Sequence, residues 1–107
     1  MLVCIIYGHI LWHKIRTSIT HVIHNAWRVD FNHPLSAFET LVSGLRNLVD
    51  FCYTVPHAIR FLFVSSIAGT RNWDVSLGPV PEDVIEDPTV TGRNGYGASK
   101  FVAEQVS

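Results

Sequence analysis

A tyrosine and a lysine stand four positions apart, as Tyr96 and Lys100, in the stretch NGYGASKFVAEQV. Residues with this spacing lie on one face of an α-helix. A lysine ammonium close to a phenol favours the phenolate and lowers the pKa of the tyrosine, so that the tyrosine can exchange a proton near neutral pH. By itself the pair fits equally an amphipathic helix whose lysine reaches to solvent. The rest of the chain has to supply a sheet, a cofactor site and a third reactive group.

Polar residues end two apolar runs of the sequence. Asn25 stands near the end of ITHVIHNA, and Ser65 and Ser66 end IRFLFVSS. In open α/β sheets, ligands bind beyond the carboxyl ends of the strands. A serine hydroxyl there can hydrogen-bond a carbonyl oxygen as negative charge develops on it. With Tyr96 and Lys100 it would suit hydride transfer from a nicotinamide to a carbonyl. Serines that only terminate a strand are the alternative.

The elements that must position these residues follow one another as strand, helix and strand. The β-branched run 19–26 and the apolar run 59–66 predict buried strands. Between them, residues 33–54 carry apolar side chains at helical spacing, with Ser36 as the expected cap and Glu39 three residues later. This order predicts a crossover connection and a parallel sheet.

A long segment without strand or helix pattern, residues 69–95, follows the second strand and contains prolines, glycines and acidic residues. Loops of this length in compact domains are usually functional. A final helix is predicted to begin near Tyr96. The chain is therefore expected to form one α/β domain.

Composition excludes several classes of partner. The chain has 107 residues, of which 48% are hydrophobic and 16% charged, and its net charge is −1. This balance is typical of a folded interior and shows no basic surface for nucleic acid or an anionic membrane. The two cysteines, Cys4 and Cys52, form no CxxC motif and are expected to be buried thiols in a reducing compartment, the cytoplasm.

The first residues, MLVCIIYGHILW, form an apolar run that is shorter than the ~20 residues of a membrane-spanning helix. A buried strand or helix is the better interpretation. His9 and His13 have the spacing of two metal ligands on a helix, but no nearby cysteine or carboxylate completes a set. No metal site is predicted.

The series THVIHNAWRVDFN, RFLFVSSIA, GPVPEDVIEDP and GYGASKFVAE resembles, in this order, the extended short-chain dehydrogenase/reductase superfamily. Within it, the similarity is greatest to the thioester reductase domains of fungal adenylate-forming reductases and of enzymes like non-ribosomal peptide synthetases, which have a male-sterility-type NAD-binding domain. The resemblance covers residues 15–107 and leaves residues 1–14 as an unmatched apolar segment.

The resemblance implies a role for each matching residue. Tyr96 corresponds to the general acid, Lys100 to the lysine that holds the nicotinamide ribose, and Ser66 to the group that binds the substrate carbonyl. Tyr96 and Lys100 are both also expected to contact the cofactor. Asn25 and Ala26 correspond to the strand end whose backbone lies along the cofactor. The implied reaction is NADPH-dependent reduction of an acyl thioester to an aldehyde, with the acyl group on coenzyme A or on a phosphopantetheinylated carrier protein.

The family's Gly-x-x-Gly-x-x-Gly loop, which binds the cofactor pyrophosphate, does not occur in these 107 residues. The sequence is therefore interpreted as a fragment: a partial Rossmann-like domain that lacks the N-terminal glycine-rich βαβ unit. The alternatives are a non-catalytic remnant that binds no cofactor, and another extended reductase such as a nucleotide-sugar epimerase. A sheet edge left without its neighbours is expected to promote self-association.

Overall fold

A computed structural model describes the backbone of residues 2–107 and the side chains of residues 8–107, so the Cys4 thiol lies outside the described side chains. The helices and strands are, in chain order, α1 (Leu2–Ser18), β1 (His21–His24), α2 (Glu39–Thr54), β2 (Arg60–Phe63) and α3 (Gly95–Val106). Short 3-10 turns lie at Leu35–Phe38, Ile67–Thr70, Val75–Leu77 and Pro88–Thr91.

The two strands form a parallel sheet. His21 pairs with Arg60 at one end of the register, and His24 pairs with Phe63 at the other. Because α2 connects β1 to β2, this part of the chain is a strand-helix-strand unit, as in a Rossmann-like domain. The predicted α/β class and parallel pairing are confirmed, although each strand is shorter than the apolar run that predicted it.

One face of the sheet is exposed, which the sequence did not indicate. Side chains along both strands alternate between exposed and half-buried, and Ile23 and Leu62 are 69% and 57% exposed. Phe61 and Phe63 point the other way and pack against the core. The prediction of two buried strands is therefore wrong for one face, because within the described chain the core helices cover only the opposite face.

Helix α2 supplies much of the core. Leu45 and Val49 are buried against Ala103 of α3, and Phe38, just before α2, is fully buried.

The predicted Ser36–Glu39 cap is wrong. Ser36 lies inside a 3-10 turn, α2 begins at Glu39, and no side chain makes a cap hydrogen bond there. The residues that the pattern assigned to the first turn of the helix instead form the tighter 3-10 turn Leu35–Phe38.

Helix α1 is helical but not buried. Its described apolar side chains are mostly exposed, namely Ile10, Leu11, Trp12 and Ile15. It contacts the end of α2, where the Trp12 and Phe51 ring centroids are 4.6 Å apart and Arg16 Nε donates to the Thr54 carbonyl at 2.8 Å. The expectation of a buried segment is wrong for these side chains. In the described part of the chain, no helix is both long and apolar enough to cross a membrane.

The predicted loop at 69–95 is confirmed, since 3-10 turns are the regular structure across most of it. The Asp74 carboxylate accepts hydrogen bonds from Ser76, and the Asp87 carboxylate accepts them from Thr89, which holds both carboxyl pKa values below their usual range. Asn72 ties the loop together through bonds to the Thr89 and Val90 carbonyls. The loop is therefore structured by its own side chains.

The described cysteine, Cys52, is a free thiol on α2 and is half-buried. Burial raises the pKa of this thiol above its usual value. A raised pKa keeps the sulfur protonated near neutral pH, so that Cys52 is a weak nucleophile.

Candidate active site

The carboxyl ends of β1 and β2 lie side by side and bring two chain segments to one edge. The last pair of the register joins His24 to Phe63, and the Val64 N–H donates to the His24 carbonyl at 3.0 Å. Asn25 and Ala26 leave this edge from β1, and both are exposed. Ser65 and Ser66 leave it from β2, both half-buried. This is the edge at which ligands bind in parallel sheets.

Helix α3 begins immediately before Tyr96 and is capped by a side chain. The Asn94 amide oxygen accepts hydrogen bonds from the Tyr96 and Gly97 N–H groups at 2.9 and 3.2 Å. Asparagine is among the best residues at this position, because it satisfies backbone donors that the first turn leaves without partners. The predicted start of the helix is confirmed.

The Tyr96 ring is held between two phenylalanines. Its centroid lies 5.0 Å from that of Phe31 and 6.2 Å from that of Phe38, both in edge-on arrangements. The residue is 7% exposed. Among the described side chains, none forms a hydrogen bond with the Tyr96 hydroxyl. The ring is therefore fixed by packing, and the phenol hydroxyl can still donate and accept hydrogen bonds, because the described side chains leave both roles unused.

Two glycines let the start of α3 approach other backbone very closely. A Cβ at Gly95 would lie 2.2 Å from the His33 carbonyl oxygen, and one at Gly97 would lie 2.2 Å from the Ala68 carbonyl oxygen. No real Cβ tolerates such contacts. The first turn of α3 is therefore wedged between the segments around His33 and Ala68, and Tyr96 stands between the two contacts.

Lys100 is buried at the carboxyl edge of the sheet. The residue is 3% exposed, and its Nζ donates a hydrogen bond to the Val64 carbonyl oxygen at 2.6 Å. The ammonium also lies over the Trp27 and Phe63 rings, 4.9 and 4.7 Å from their centroids. Both aromatic faces and the carbonyl dipole stabilise the positive charge.

The surroundings of Lys100 affect its pKa in opposite directions. Desolvation by burial lowers the pKa of the ammonium, and the Glu104 carboxylate one turn further along α3 acts against it. Burial is the larger effect, so the pKa lies below its usual value. The same Glu104 carboxylate accepts a hydrogen bond from the Ser65 hydroxyl, which connects α3 to the end of β2.

Ser66 has a structural role that leaves its proton unused. Its hydroxyl oxygen accepts from the Ala68 N–H at 3.2 Å and caps the 3-10 turn Ile67–Thr70. Among the described groups, none accepts the Ser66 hydroxyl proton. Ser66 therefore does terminate the strand, as the alternative interpretation held, and its proton is still available for a carbonyl oxygen.

Of the residues predicted from sequence, Lys100 contacts the segments at both strand ends, whereas Tyr96 has other neighbours. Lys100 bonds directly to the segment that carries Ser65 and Ser66, and it touches Trp27, which follows Asn25 and Ala26. Tyr96 lies one helical turn before Lys100 but packs against different neighbours. The effect of the ammonium on the phenol, and the role of each site residue, stay predictions.

Several residues that shape the site were not singled out from the sequence. Asn94 and the Gly95–Gly97 pair had a signal, because asparagine favours helix N-caps and glycines mark close backbone approach. Ser99 and Glu104 had none: their partners, Trp27 and Ser65, are distant in sequence. Among the described residues, no group of three or more histidine, cysteine or acidic side chains is placed to hold a metal ion.

Comparison with known proteins identifies the family of the chain. The NAD-binding family described as "Male sterility protein" matches residues 9–107. Adenylate-forming reductases Nps11 and Nps9 of Serpula lacrymans are 49% and 50% identical to the chain over 92% and 87% of its length. A carboxylic acid reductase of Neurospora crassa is 35% identical over 92% of it.

The chain spans 9% of the length of each of these three proteins. Residues 9–107, which the family matches, include both strands, the connecting helix and the helix with Tyr96 and Lys100. The resemblance to the reductase domains of fungal adenylate-forming reductases is confirmed. By the match over residues 9–107, the chain belongs to the male sterility family of NAD-binding proteins.

Proposed function

We propose that this chain forms the nicotinamide-binding and carbonyl-binding part of an NADPH-dependent thioester reductase. Its substrate would be an acyl thioester of coenzyme A or of a phosphopantetheinylated carrier protein, and its product an aldehyde. The observation that carries the proposal is the buried Lys100 ammonium, held by the Val64 carbonyl at the carboxyl edge of a parallel sheet, one helical turn from Tyr96.

The residues present fit one half of a dinucleotide. A lysine ammonium has three N–H donors, and Val64 uses one of those of Lys100, which leaves donors for ribose hydroxyls. The exposed segment Asn25–Ala26 offers backbone groups beside them. The glycine loop for the pyrophosphate does not occur in the 107 residues, so that we expect weaker cofactor affinity than a glycine loop would confer.

When bound, the nicotinamide supplies the hydride for the thioester carbonyl carbon. In our proposal, Ser66 and Tyr96 both donate hydrogen bonds to the carbonyl oxygen, where negative charge develops. Tyr96 then gives its proton to that oxygen, and the Lys100 charge stabilises the phenolate that is left. Collapse of the resulting hemithioacetal returns the hydroxyl proton to the Tyr96 phenolate, breaks the carbon–sulfur bond and releases the aldehyde and a thiolate. The thiolate becomes a thiol by taking from water the one proton that the net reaction consumes.

Titration calorimetry of the purified chain with NADPH and NADH tests the cofactor part. We expect saturable NADPH binding that Lys100→Ala weakens strongly and Tyr96→Phe weakens less, because the lysine supplies charged donors to the ribose whereas the tyrosine hydroxyl acts mainly on the substrate carbonyl. Lys14→Ala is the matched control, since Lys14 is the other lysine of the chain and is exposed on α1. Equal weakening by both lysine variants would contradict a specific role for Lys100.

Turnover separates the substrates. Aldehyde formation from an acyl-coenzyme A and from the same acyl group on a carrier protein is measured for wild type, Ser66→Ala and Tyr96→Phe. We expect both substitutions to reduce turnover by about 100-fold or more, as for the loss of one proton donor or one oxyanion donor. A folded sample without saturable binding at millimolar NADPH would favour the second candidate, in which these 107 residues by themselves bind no cofactor.

The free Cys52 thiol supports a reducing compartment, and we place the protein in the cytoplasm.

A further inference from the structure

Trp27 lies at the centre of the candidate site without belonging to the residues expected to act in it. It follows β1 directly after Asn25 and Ala26 and is half-buried. Its ring packs against the core of Leu45, Val49 and Ala103. Besides this packing, Trp27 makes two directional contacts: its indole N–H bonds to Ser99, and its ring face lies beside the Lys100 ammonium.

The indole N–H connects the end of β1 to α3. Nε1 donates to the Ser99 hydroxyl oxygen at 3.0 Å, and Ser99 in turn donates to the Tyr96 carbonyl oxygen at 2.6 Å. Ser99 is fully buried, so that its hydroxyl depends on these partners for hydrogen bonding. A shift of the indole would therefore be transmitted to the turn of α3 that separates Tyr96 from Lys100.

The indole face bounds the space available to the Lys100 ammonium. Nζ lies 4.9 Å from the Trp27 ring centroid, 4.7 Å from the Phe63 ring centroid and 2.6 Å from the Val64 carbonyl oxygen. The Trp27 and Phe63 rings meet edge to face, with centroids 5.6 Å apart, so that each fixes the orientation of the other. Without the indole, the long lysine side chain could leave the sheet edge for water.

We propose that Trp27 is a positioning residue that holds the Lys100 ammonium at the carboxyl edge of the sheet and fixes the backbone of Asn25 and Ala26 relative to it. One side chain thereby joins the β1 end, α3 and the lysine. The part of the proposal that concerns cofactor affinity rests on the proposed function, whereas the part that concerns the lysine does not.

Nuclear magnetic resonance of the lysine side chains tests the position of Lys100 without any cofactor. The chain has two lysines, Lys14 and Lys100, so Lys14→Arg assigns both sets of Cε methylene signals. Protons over aromatic faces resonate upfield, and we expect the Lys100 signals upfield of those of the exposed Lys14. Trp27→Leu should move them towards the Lys14 position and should also remove the nuclear Overhauser contacts between the Lys100 Cε protons and the Phe63 ring, which loss of the indole ring current alone would leave in place. Trp27→Phe, which keeps a ring, should retain part of both signals.

Trp73→Phe is the matched control. Its indole N–H also bonds to an acceptor, the Gly78 carbonyl at 2.9 Å, but within the 69–95 loop. This variant should leave the Lys100 signals unchanged. Urea unfolding of each variant shows that the spectra come from folded protein, and Trp27→Phe serves if Trp27→Leu does not fold. Lys100 Cε protons that keep undiminished contacts with the Phe63 ring in the folded Trp27 variants would overturn the proposal.

Calorimetry with NADPH then measures the consequence for binding. Trp27→Leu should weaken binding by about three- to tenfold, the size of one buried cation–π contact. In a Lys100→Ala background the same substitution should weaken it no further, because Trp27 acts through the lysine. Additive losses would overturn this step. If the wild type does not bind NADPH, the proposed function fails and the resonances alone decide whether Trp27 positions Lys100.

Discussion

Substitution of Gly97 by alanine tests whether α3 is wedged against the Ala68 backbone. The new Cβ would lie 2.2 Å from the Ala68 carbonyl oxygen and 2.9 Å from the Ala68 carbonyl carbon. These atoms are backbone, so a side-chain rotation cannot relieve the overlap. Either the start of α3 or the turn at Ile67–Thr70 has to move, and Tyr96 moves with the helix.

The magnitude follows from two opposing effects. Alanine is better than glycine within a helix by up to about 1 kcal/mol, and overpacking of a close contact costs about 1–3 kcal/mol. Gly44 in α2 isolates the first effect, because a Cβ there meets nothing within 4 Å. We expect Gly44→Ala to raise the free energy of unfolding by up to about 1 kcal/mol and Gly97→Ala to lower it by about 1–2 kcal/mol.

Urea unfolding followed by circular dichroism measures both variants, and thermal unfolding gives a second reading. For a domain of this size, each 1 kcal/mol corresponds to a shift in Tm of about 4–8 °C. Gly97→Ala should unfold at lower urea and temperature than the wild type, and Gly44→Ala at higher. If both variants were stabilised equally, the close approach of α3 to Ala68 would not exist in solution and the reasoning would be refuted.

Three further outcomes are expected. Asn94→Ala should lower the free energy of unfolding by about 1 kcal/mol in urea titrations, because two N–H groups of α3 lose their acceptor. The pKa of Lys100 is lowered from 10.5 in the folded chain, so the unfolded chain binds more protons below that pH. The free energy of unfolding should therefore gain a contribution that rises as the pH approaches 10.5 and is absent in Lys100→Met. The double variant Ile23→Lys, Leu62→Lys should reduce self-association in light scattering, because both side chains lie exposed on the uncovered sheet face.

Each of these three predictions has its own control or its own refuting result. Asn47→Ala, at an exposed position inside α2, should not destabilise the chain; a loss equal to that of Asn94→Ala would argue against the cap. An identical pH dependence in the wild type and Lys100→Met would mean that the ammonium is hydrated in the folded state. A wild type that is strictly monomeric at all concentrations would contradict the expected association through the sheet.

The sequence alone determined the order and type of the main elements. The apolar runs ending at Asn25 and Ser66, with a helical pattern between them, specify a parallel strand-helix-strand unit because a crossover helix joins neighbouring parallel strands. The spacing of Tyr96 and Lys100 placed both on one helix, since local periodicity does not depend on distant contacts. The ordered motifs were sufficient to identify the family.

Tertiary structure decided which faces are covered and what surrounds the reactive groups. Ile23 and three residues of α1, Ile10, Leu11 and Ile15, are as apolar as core residues. Their exposure depends on which elements pack against them, which periodicity does not encode. The contact of Trp27 with Ser99 joins residues 72 positions apart. The Lys100 ammonium likewise lies where Trp27, Phe63 and Val64 meet at one sheet edge. Burial, close approach and pKa are properties of that assembly, because they depend on distances between residues that are remote in the chain.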